Sequence, residues 1–441
     1  SESTTLILDE SFKGTSYIDI IRKICPELEH SRGGDIKSKQ LPHLKRVILM
    51  TEREEVGMYK WSELLAHAEN VSDEVLAQHL QSLHPDDVIN IQYTSGTTGF
   101  PKGVMLTHNN IVNNGKMIGD RMKLTEDDRV CIPVPFFHCF GCVLGTLAAV
   151  THASTMVVIE QFHAKTVLQA VQDEKCTALH GVPTMFIAEL NDPDFKTYDT
   201  SSLRTGIMAG STCPIEVMRR VIGEMGASEI TICYGQTESS PVITQTTTDD
   251  PIEKRTSTVG KPHPYVEVKV VDPVNGEEVG IGQPGELWTR GYHVMKGYYN
   301  NEEATREAID AEGWLRTGDL AVMDEEGYID ITGRMRDMVI RGGENIYPRE
   351  IEEFLYKHPG IEDVQVVGVP DPKYGEELMA WIIPKKDADI DAASVKAFCE
   401  GNISHYKIPR YIEFTDSYPM TASGKIMKFK LQEMSESKML I

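Results

Sequence analysis

Positive charge is scarce in this chain. Lys and Arg number 44 against 67 Asp and Glu, giving a formal charge of −23. That balance excludes the clustered basic footprint of a nucleic-acid-binding protein. It also means that an anionic small molecule meets a repulsive overall field, which local cations must overcome. Cysteine is sparse as well. Eight in 441 residues are too few for a disulfide scaffold and point to a reducing compartment. Cys139 and Cys142 form a lone CxxC beside His138. With no second pair and apolar surroundings, they read as small buried residues rather than a redox pair or half a zinc site. Uninterrupted apolar runs are missing too. Residues 130–150 carry no Asp, Glu, Lys or Arg, but Pro133, Pro135, His138, Gly141 and Gly145 break the stretch. It is expected to be a buried strand, turn and helix, not a membrane span. No signal peptide, internal repeat or low-complexity tract stands out.

What the chain does have is YTSGTTGFPKG, Tyr93 to Gly103, with three Thr, a Ser, three Gly, a Pro and a Lys in eleven residues. Such a loop offers hydroxyl and backbone N–H donors, little bulk and one positive charge. A polyphosphate cradle needs those features. A flexible surface turn would also be rich in Gly, Ser and Thr, but it needs neither the Lys nor the β-prone VINIQY run that feeds it. Thr107 is a plausible cap for a following helix. The spacing is not that of a P-loop. Gly96 and Gly99 have two residues between them and Lys102 precedes Gly103, whereas the P-loop needs four residues and then Gly-Lys-Ser/Thr.

The loop instead resembles the phosphate loop of the adenylate-forming enzymes: acyl-CoA synthetases, luciferases and the adenylation domains of peptide synthetases. Further motifs follow in the family's order between residues 88 and 430. The nearest subgroup looks like the bacterial medium-chain fatty-acyl-CoA synthetases. The resemblance implies an ATP site made of Thr94, Ser95, Gly96, Thr97, Thr98, Gly99 and Lys102. MAGST adds Gly210 and Ser211, and YGQTES adds Tyr234, Gly235 and Thr237. Taken alone, YGQTES also reads as a helix start with Thr237 or Glu238 as a cap, and MAGST as close backbone packing. By resemblance Tyr234 packs on adenine, Glu238 and Thr94 hold Mg²⁺, and Asp319 with Arg334 takes the ribose hydroxyls. Lys425, in PMTASGKIMK, bridges the substrate carboxylate and the α-phosphate. Catalytic roles thus fall to Lys425, Glu238, Thr94 and His138. The acyl pocket takes in His138, Gly141, Ala209 and Gly210, and the CoA tunnel Gly342 and Gly343. The hinge is Arg336, where the family often has Asp, so its charge is reversed here.

Along the chain, β-prone runs alternate with helical ones from 88 to about 260, the pattern of βαβ units and parallel sheet. YVEVKVVD alternates with period two, and Asn275-Gly276 is a hairpin signal. Pro348 is placed to open a helix. The expected fold is α/β. A large N-terminal domain, residues 1–335, has parallel-sheet layers and a small β-rich subdomain at about 264–333. A small mobile C-terminal α/β domain covers 336–441. By comparison with the family, the chain begins after a substantial N-terminal segment.

The expected activity is ATP-dependent fatty acid:CoA ligation, medium to long chain, through an acyl-adenylate. ATP, Mg²⁺ and coenzyme A are required, and no nucleic acid. The location is cytoplasmic, with transient membrane contact at most, and the protein is a monomer or homodimer. Adenylation of an aryl or amino acid is the nearest rival, and luciferase-like oxygenation the next. No Asp or Glu occurs between Asp128 and Glu160 to pair with an amino-acid amine, and no carrier domain follows. A non-catalytic acyl or nucleotide binder is the rival from another class. The retained Lys102, Glu238, Asp319, Arg334 and Lys425 speak against it.

Overall fold

The computed structural model describes residues 1–31, 36–94, 101–211, 213–421 and 424–439. The chain folds as two compact units, Ser1–Asp87 and Val88–Ile441. In the first, strands Thr5–Leu8 and Arg46–Leu49 pair in parallel. They cover a core that includes Ile18, Cys25, Leu28 and Val47. The helix Asp73–Ser82 carries no buried residue.

The second unit is built around a seven-stranded sheet. Five strands are parallel: Thr155–Val158, Arg129–Ile132, Ala178–Gly181, Thr205–Met208 and Thr231–Gly235. Val242–Gln245 and Lys261–Pro262 continue it antiparallel. The parallel strands read as near-continuous apolar runs because both faces are covered. One core packs Leu106, Ile118, Ile132 and Val143; another packs Leu168, Leu179, Phe186 and Met208. Residues 129–151 are the expected strand and helix. Arg129–Ile132 is followed by a wide π-type turn run, Phe140–Leu147, and an α-helix, Ala148–Thr151.

Thr107 caps the helix His108–Arg121 through its hydroxyl, with Asn110 answering as a capping box. The glycine-rich loop, however, does not run from strand to helix. Val88–Thr94 and Lys102–Thr107 are an antiparallel pair with Thr94 opposite Lys102, so a strand stands between the glycine-rich stretch and the helix. Gly297–Tyr298 adds a third strand to that sheet.

The β-rich stretch forms a four-stranded antiparallel sheet of Val266–Val271, Gly285–Gly291, Leu315–Met323 and Ile329–Arg334. After the one-turn segment Met335–Asp337 the chain enters a further sheet with its own core of Val339, Ile351, Val364, Ala380 and Val395. Pro348 opens the helix Pro348–Leu355, as its fixed φ and missing N–H favour.

Candidate active site

The ends of the sheet strands bring together residues that lie far apart in sequence. Tyr234 lies near the end of the strand Thr231–Gly235, and its hydroxyl donates to Asp319 Oδ2 at 2.6 Å. Arg334 stands opposite Asp319 across the neighbouring pair, with Nε 3.3 Å from Asp319 Oδ1. Burial raises the Asp319 carboxyl above the ordinary range while the Arg334 charge pulls it back. The Tyr234 phenol is pushed well up by burial and by the adjacent carboxylate. An aromatic ring, a carboxylate and a guanidinium thus converge where open α/β sheets bind ligands. Gly235 is required by close approach: a Cβ there would stand 1.7 Å from Pro241 O.

Glu238 follows in the turn Thr237–Ser239. The capping alternative does not describe it, because Ser239 and Gln236 cap that turn with each other. Glu238 Oε1 instead accepts from the Tyr298 hydroxyl at 2.8 Å. Lys102 Nζ lies over the Tyr298 ring, 4.7 Å from its centroid. Thr94 lies opposite Lys102 at the hairpin base, while Ser95, Gly96, Thr97, Thr98 and Gly99 fall outside the described residues. A carboxylate held by one oxygen suits Mg²⁺, a hard cation that takes few protein oxygens. Among the described residues no group of three or more His, Cys, Asp and Glu is arranged to hold a metal by itself. Phosphate oxygens and water would complete the shell.

Gly210 follows the strand Thr205–Met208 and has φ +95°, a left-handed value that favours glycine. Ala209 beside it is buried and Ser211 exposed. A Cβ on Gly210 would meet Lys425 Cε at 3.2 Å, so Lys425 reaches this turn. Loss of water around the ammonium and the nearby Arg334 charge hold the Lys425 pKa below its ordinary value. The Lys425 turn is knitted by Thr421 and Lys425 backbone bonds. It is also tied to the helix Pro183–Leu190, since the Thr184 hydroxyl donates to Gly424 O at 3.1 Å.

His138 accepts from Phe140 N–H through Nδ1 at 3.1 Å, which leaves Nε2 as the protonated nitrogen of a neutral ring. Burial and the Lys425 charge lower its pKa to about 4. Gly141 has a packing reason for being glycine, since a Cβ would stand 2.4 Å from Pro135 O. Cys139 donates to Gln92 Oε1 at 2.9 Å, and burial pushes its thiol up to about 12. All eight cysteines are free. Gly342 and Gly343, at φ +62° and +92°, form the exposed tip of the hairpin Val339–Arg341 and Glu344–Ile346. Arg336 is exposed in the connecting turn, with Nε 3.5 Å from Asp337 Oδ1.

Two residues of this site escaped the sequence reading. Tyr298 is brought to Glu238 by pairing with Val104, and Thr184 meets Gly424 from the first turn of the helix Pro183–Leu190. Both depend on long-range contacts that no local pattern encodes.

The parallel sheet, the antiparallel subdomain and the lysine turn folded onto Gly210 define a nucleotide-dependent carboxylate-activating enzyme of the adenylate-forming type. The comparisons agree. Residues 22–299 match the AMP-binding enzyme family and residues 350–425 match the AMP-binding enzyme C-terminal domain. The chain is 58% identical over 433 residues to the candidate acyl-CoA synthetase YngI of Bacillus subtilis (strain 168), covering 98% of this chain and 79% of that protein. It is 44% identical over 437 residues to the mitochondrial medium-chain acyl-CoA ligase ACSF2 of Bos taurus, covering 98% and 71%. The structure of ATP-bound MatB from Rhodopseudomonas palustris superposes with a TM-score of 0.75 at 32% identity, covering 81% of this chain and 70% of that one. The chain belongs to the AMP-binding enzyme family.

Proposed function

We propose that the chain joins fatty acids of medium to long chain to coenzyme A through an acyl-adenylate. Its class is that of an AMP-forming acid–CoA ligase using ATP, Mg²⁺ and CoA. The finer reading draws on the relatives named medium-chain acyl-CoA ligase and on the uncharged segment around His138. The observation that carries the chemistry is the seating of Lys425 against Gly210, beside the Tyr234–Asp319–Arg334 cluster.

In the first step a carboxylate oxygen of the acid attacks the α-phosphorus of ATP. The bond to the bridging oxygen breaks and pyrophosphate leaves. Lys425 offers its ammonium where negative charge builds on the α-phosphoryl oxygens. Asp319 and Arg334 accept from and donate to the ribose hydroxyls, and the flat face of Tyr234 supports adenine. Bound Mg²⁺, held by Glu238 with Thr94, would neutralise phosphate charge. In the second step the CoA sulfur, as thiolate, attacks the acyl carbon and AMP leaves. The small domain, residues 336–441, turns about Arg336 and exchanges the Lys425 turn for the Gly342–Gly343 tip.

An amino acid as substrate is disfavoured. Asp128, the nearest acidic residue before His138 in sequence, is committed to Arg204, with Oδ2 2.7 Å from Nη2. No helix among the described residues is long and apolar enough to cross a membrane. We place the protein in the cytoplasm, as a monomer or homodimer.

The test is Glu238→Gln, which keeps the shape and removes the charge. Pyrophosphate release from ATP and a panel of carboxylic acids should fall by a factor on the order of a hundred. Unchanged release with normal Mg²⁺ dependence would remove Glu238 from the site. The same panel, read with the wild type, tests the preference for medium and long chains.

A further inference from the structure

We propose that Tyr298 is a positioning residue that makes Glu238 a one-oxygen ligand for Mg²⁺ and seats Lys102 beside it. The inference rests on the reading of Glu238 as the metal carboxylate. Tyr298 is only 7% exposed and its backbone is fixed. It pairs with Val104 in the hairpin sheet, and its N–H donates to Thr305 Oγ1 at 2.9 Å. The Glu238 backbone is tied to the same segment, since Met295 N–H donates to Glu238 O at 2.9 Å. The two side chains therefore meet between backbones that are themselves joined. This rigidity holds the 2.8 Å bond from the hydroxyl to Oε1.

With one lone pair of Oε1 taken by the hydroxyl, Oε2 would be the less encumbered oxygen for a metal. Mg²⁺ takes carboxylates by one oxygen in a small octahedral shell and keeps several waters. Ca²⁺ is larger and accepts a carboxylate through both oxygens. The tyrosine hydroxyl thus works against the bidentate mode that the larger ion would use. The ring does a second job. Lys102 sits over its face, 4.7 Å from the centroid, where the ring's negative face attracts a cation. Ammonium and carboxylate are each anchored to the tyrosine, so both remain available to a polyphosphate and its cation.

The test is ATP binding by calorimetry, with Mg²⁺, with Ca²⁺ and without metal, on wild type, Tyr298→Phe, Tyr298→Leu and Glu238→Gln. Tyr298→Phe keeps the ring and loses one hydrogen bond. It should weaken Mg–ATP binding about fivefold, narrow the preference for Mg²⁺ over Ca²⁺, and leave metal-free ATP binding unchanged. Tyr298→Leu should weaken metal-free binding as well, because Lys102 loses its seat. Glu238→Gln should abolish the effect of metal. If Tyr298→Phe matches wild type with both ions while Glu238→Gln loses metal dependence, the proposal for Tyr298 is overturned and the role of Glu238 stands. If Glu238→Gln keeps full metal dependence, the reading beneath both is wrong.

Discussion

Two loops of the C-terminal region are in opposite situations. The Lys425 turn is folded against the large domain, with Gly424 O taken by the Thr184 hydroxyl of the helix Pro183–Leu190 and Lys425 Cε close to Gly210. The Gly342–Gly343 tip stands exposed at the end of its hairpin. Both loops belong to one small domain whose sheet has two cores, one with Val339 and Ile346 beside the glycine tip and one with Tyr418 and Leu431 beside the Lys425 turn. Lys428, three residues after Lys425, is pinned to Glu352, and the Gly342 N–H donates to Tyr374 O at 2.8 Å. A rigid body that shows one loop to the site holds the other away from it. Among the described residues the polar ties across the junction include Thr184 to Gly424 O, Arg349 to Asp330 and Ile331 O, Ile215 N–H to Glu353, and Met338 N–H to Arg334 O. Net hydrogen bonds of this kind are worth about 0.5–1.5 kcal/mol each, more where charge assists. That is small enough for a body to leave one docked position for another. On the proposed reading of Lys425 and of the glycine tip, this conformation is the one that serves adenylate formation.

The sharpest way to break the comparison is to remove the docked group. Lys425→Ala should cut acyl-adenylate formation by a factor of roughly a hundred to a thousand, the scale for losing a donor aimed at developing negative charge. The same variant, given preformed acyl-adenylate and CoA, should form thioester at close to the wild-type rate. Pyrophosphate release and thioester formation are read separately. Equal loss of both in a folded variant would end the two-loop account.

The exposed loop should give the reverse pattern with a smaller effect. Gly343→Val places a β-branched residue at φ +92°, where left-handed backbone costs about 1–2 kcal/mol. Nothing lies within 4 Å of its added Cβ, so no clash is expected in the present conformation and adenylation should hold. If the tip enters the site in the second step, thioester formation should fall about tenfold. A variant that adenylates poorly but transfers normally would exchange the roles of the loops.

How far these roles were legible in the sequence differs between the loops and what surrounds them. Periodicity and turn residues marked the strands Thr231–Gly235 and Gly285–Gly291 and the helix Pro348–Leu355, because such patterns follow from local burial and local dihedrals. The convergence of Tyr234, Asp319 and Arg334 was legible only through resemblance, since no local rule places residue 319 beside residue 234. Two things were not legible. The hairpin Val88–Thr94 and Lys102–Thr107 was hidden because KGVMLT continues the glycine loop without a strand signal of its own. Ser1–Asp87 form a compact unit of their own, a division that the reading of residues 1–335 as one large domain did not draw. Pairing of Thr5–Leu8 with Arg46–Leu49 closes that core within the segment, which a strand-by-strand reading does not reveal.

A gentler perturbation loosens the docked loop without touching the chemistry. Thr184→Val removes the hydroxyl that holds Gly424 O and keeps nearly the same volume. Losing about 1 kcal/mol from one conformation should lower adenylation by about fivefold. Thioester formation from preformed adenylate should be unchanged or slightly faster. Opposite movement of the two rates distinguishes a shifted domain equilibrium from general destabilisation, which would lower both.

The smallest effect comes from pH and asks nothing of mutagenesis. The Lys425 ammonium is held below its ordinary pKa, first by loss of water and then by Arg334. A lysine with a lowered pKa loses its proton earlier as pH rises, so adenylation should decline on the alkaline side before an ordinary lysine, near pH ~10.4, would titrate. The loss is partial over any modest rise in pH, because the remaining protonated fraction still works, and so it stays below that of Lys425→Ala. Thioester formation from preformed adenylate does not use this ammonium and should lack that limb. The measurement is a pair of pH profiles, one for each half-reaction, on the wild type and on Lys425→Arg. Arginine stays charged throughout the range, so whatever adenylation it supports should show no alkaline decline from this position. If both half-reactions of the wild type fall together, or if Lys425→Arg keeps the decline, the limb belongs to another group and Lys425 is not the residue that separates the two steps.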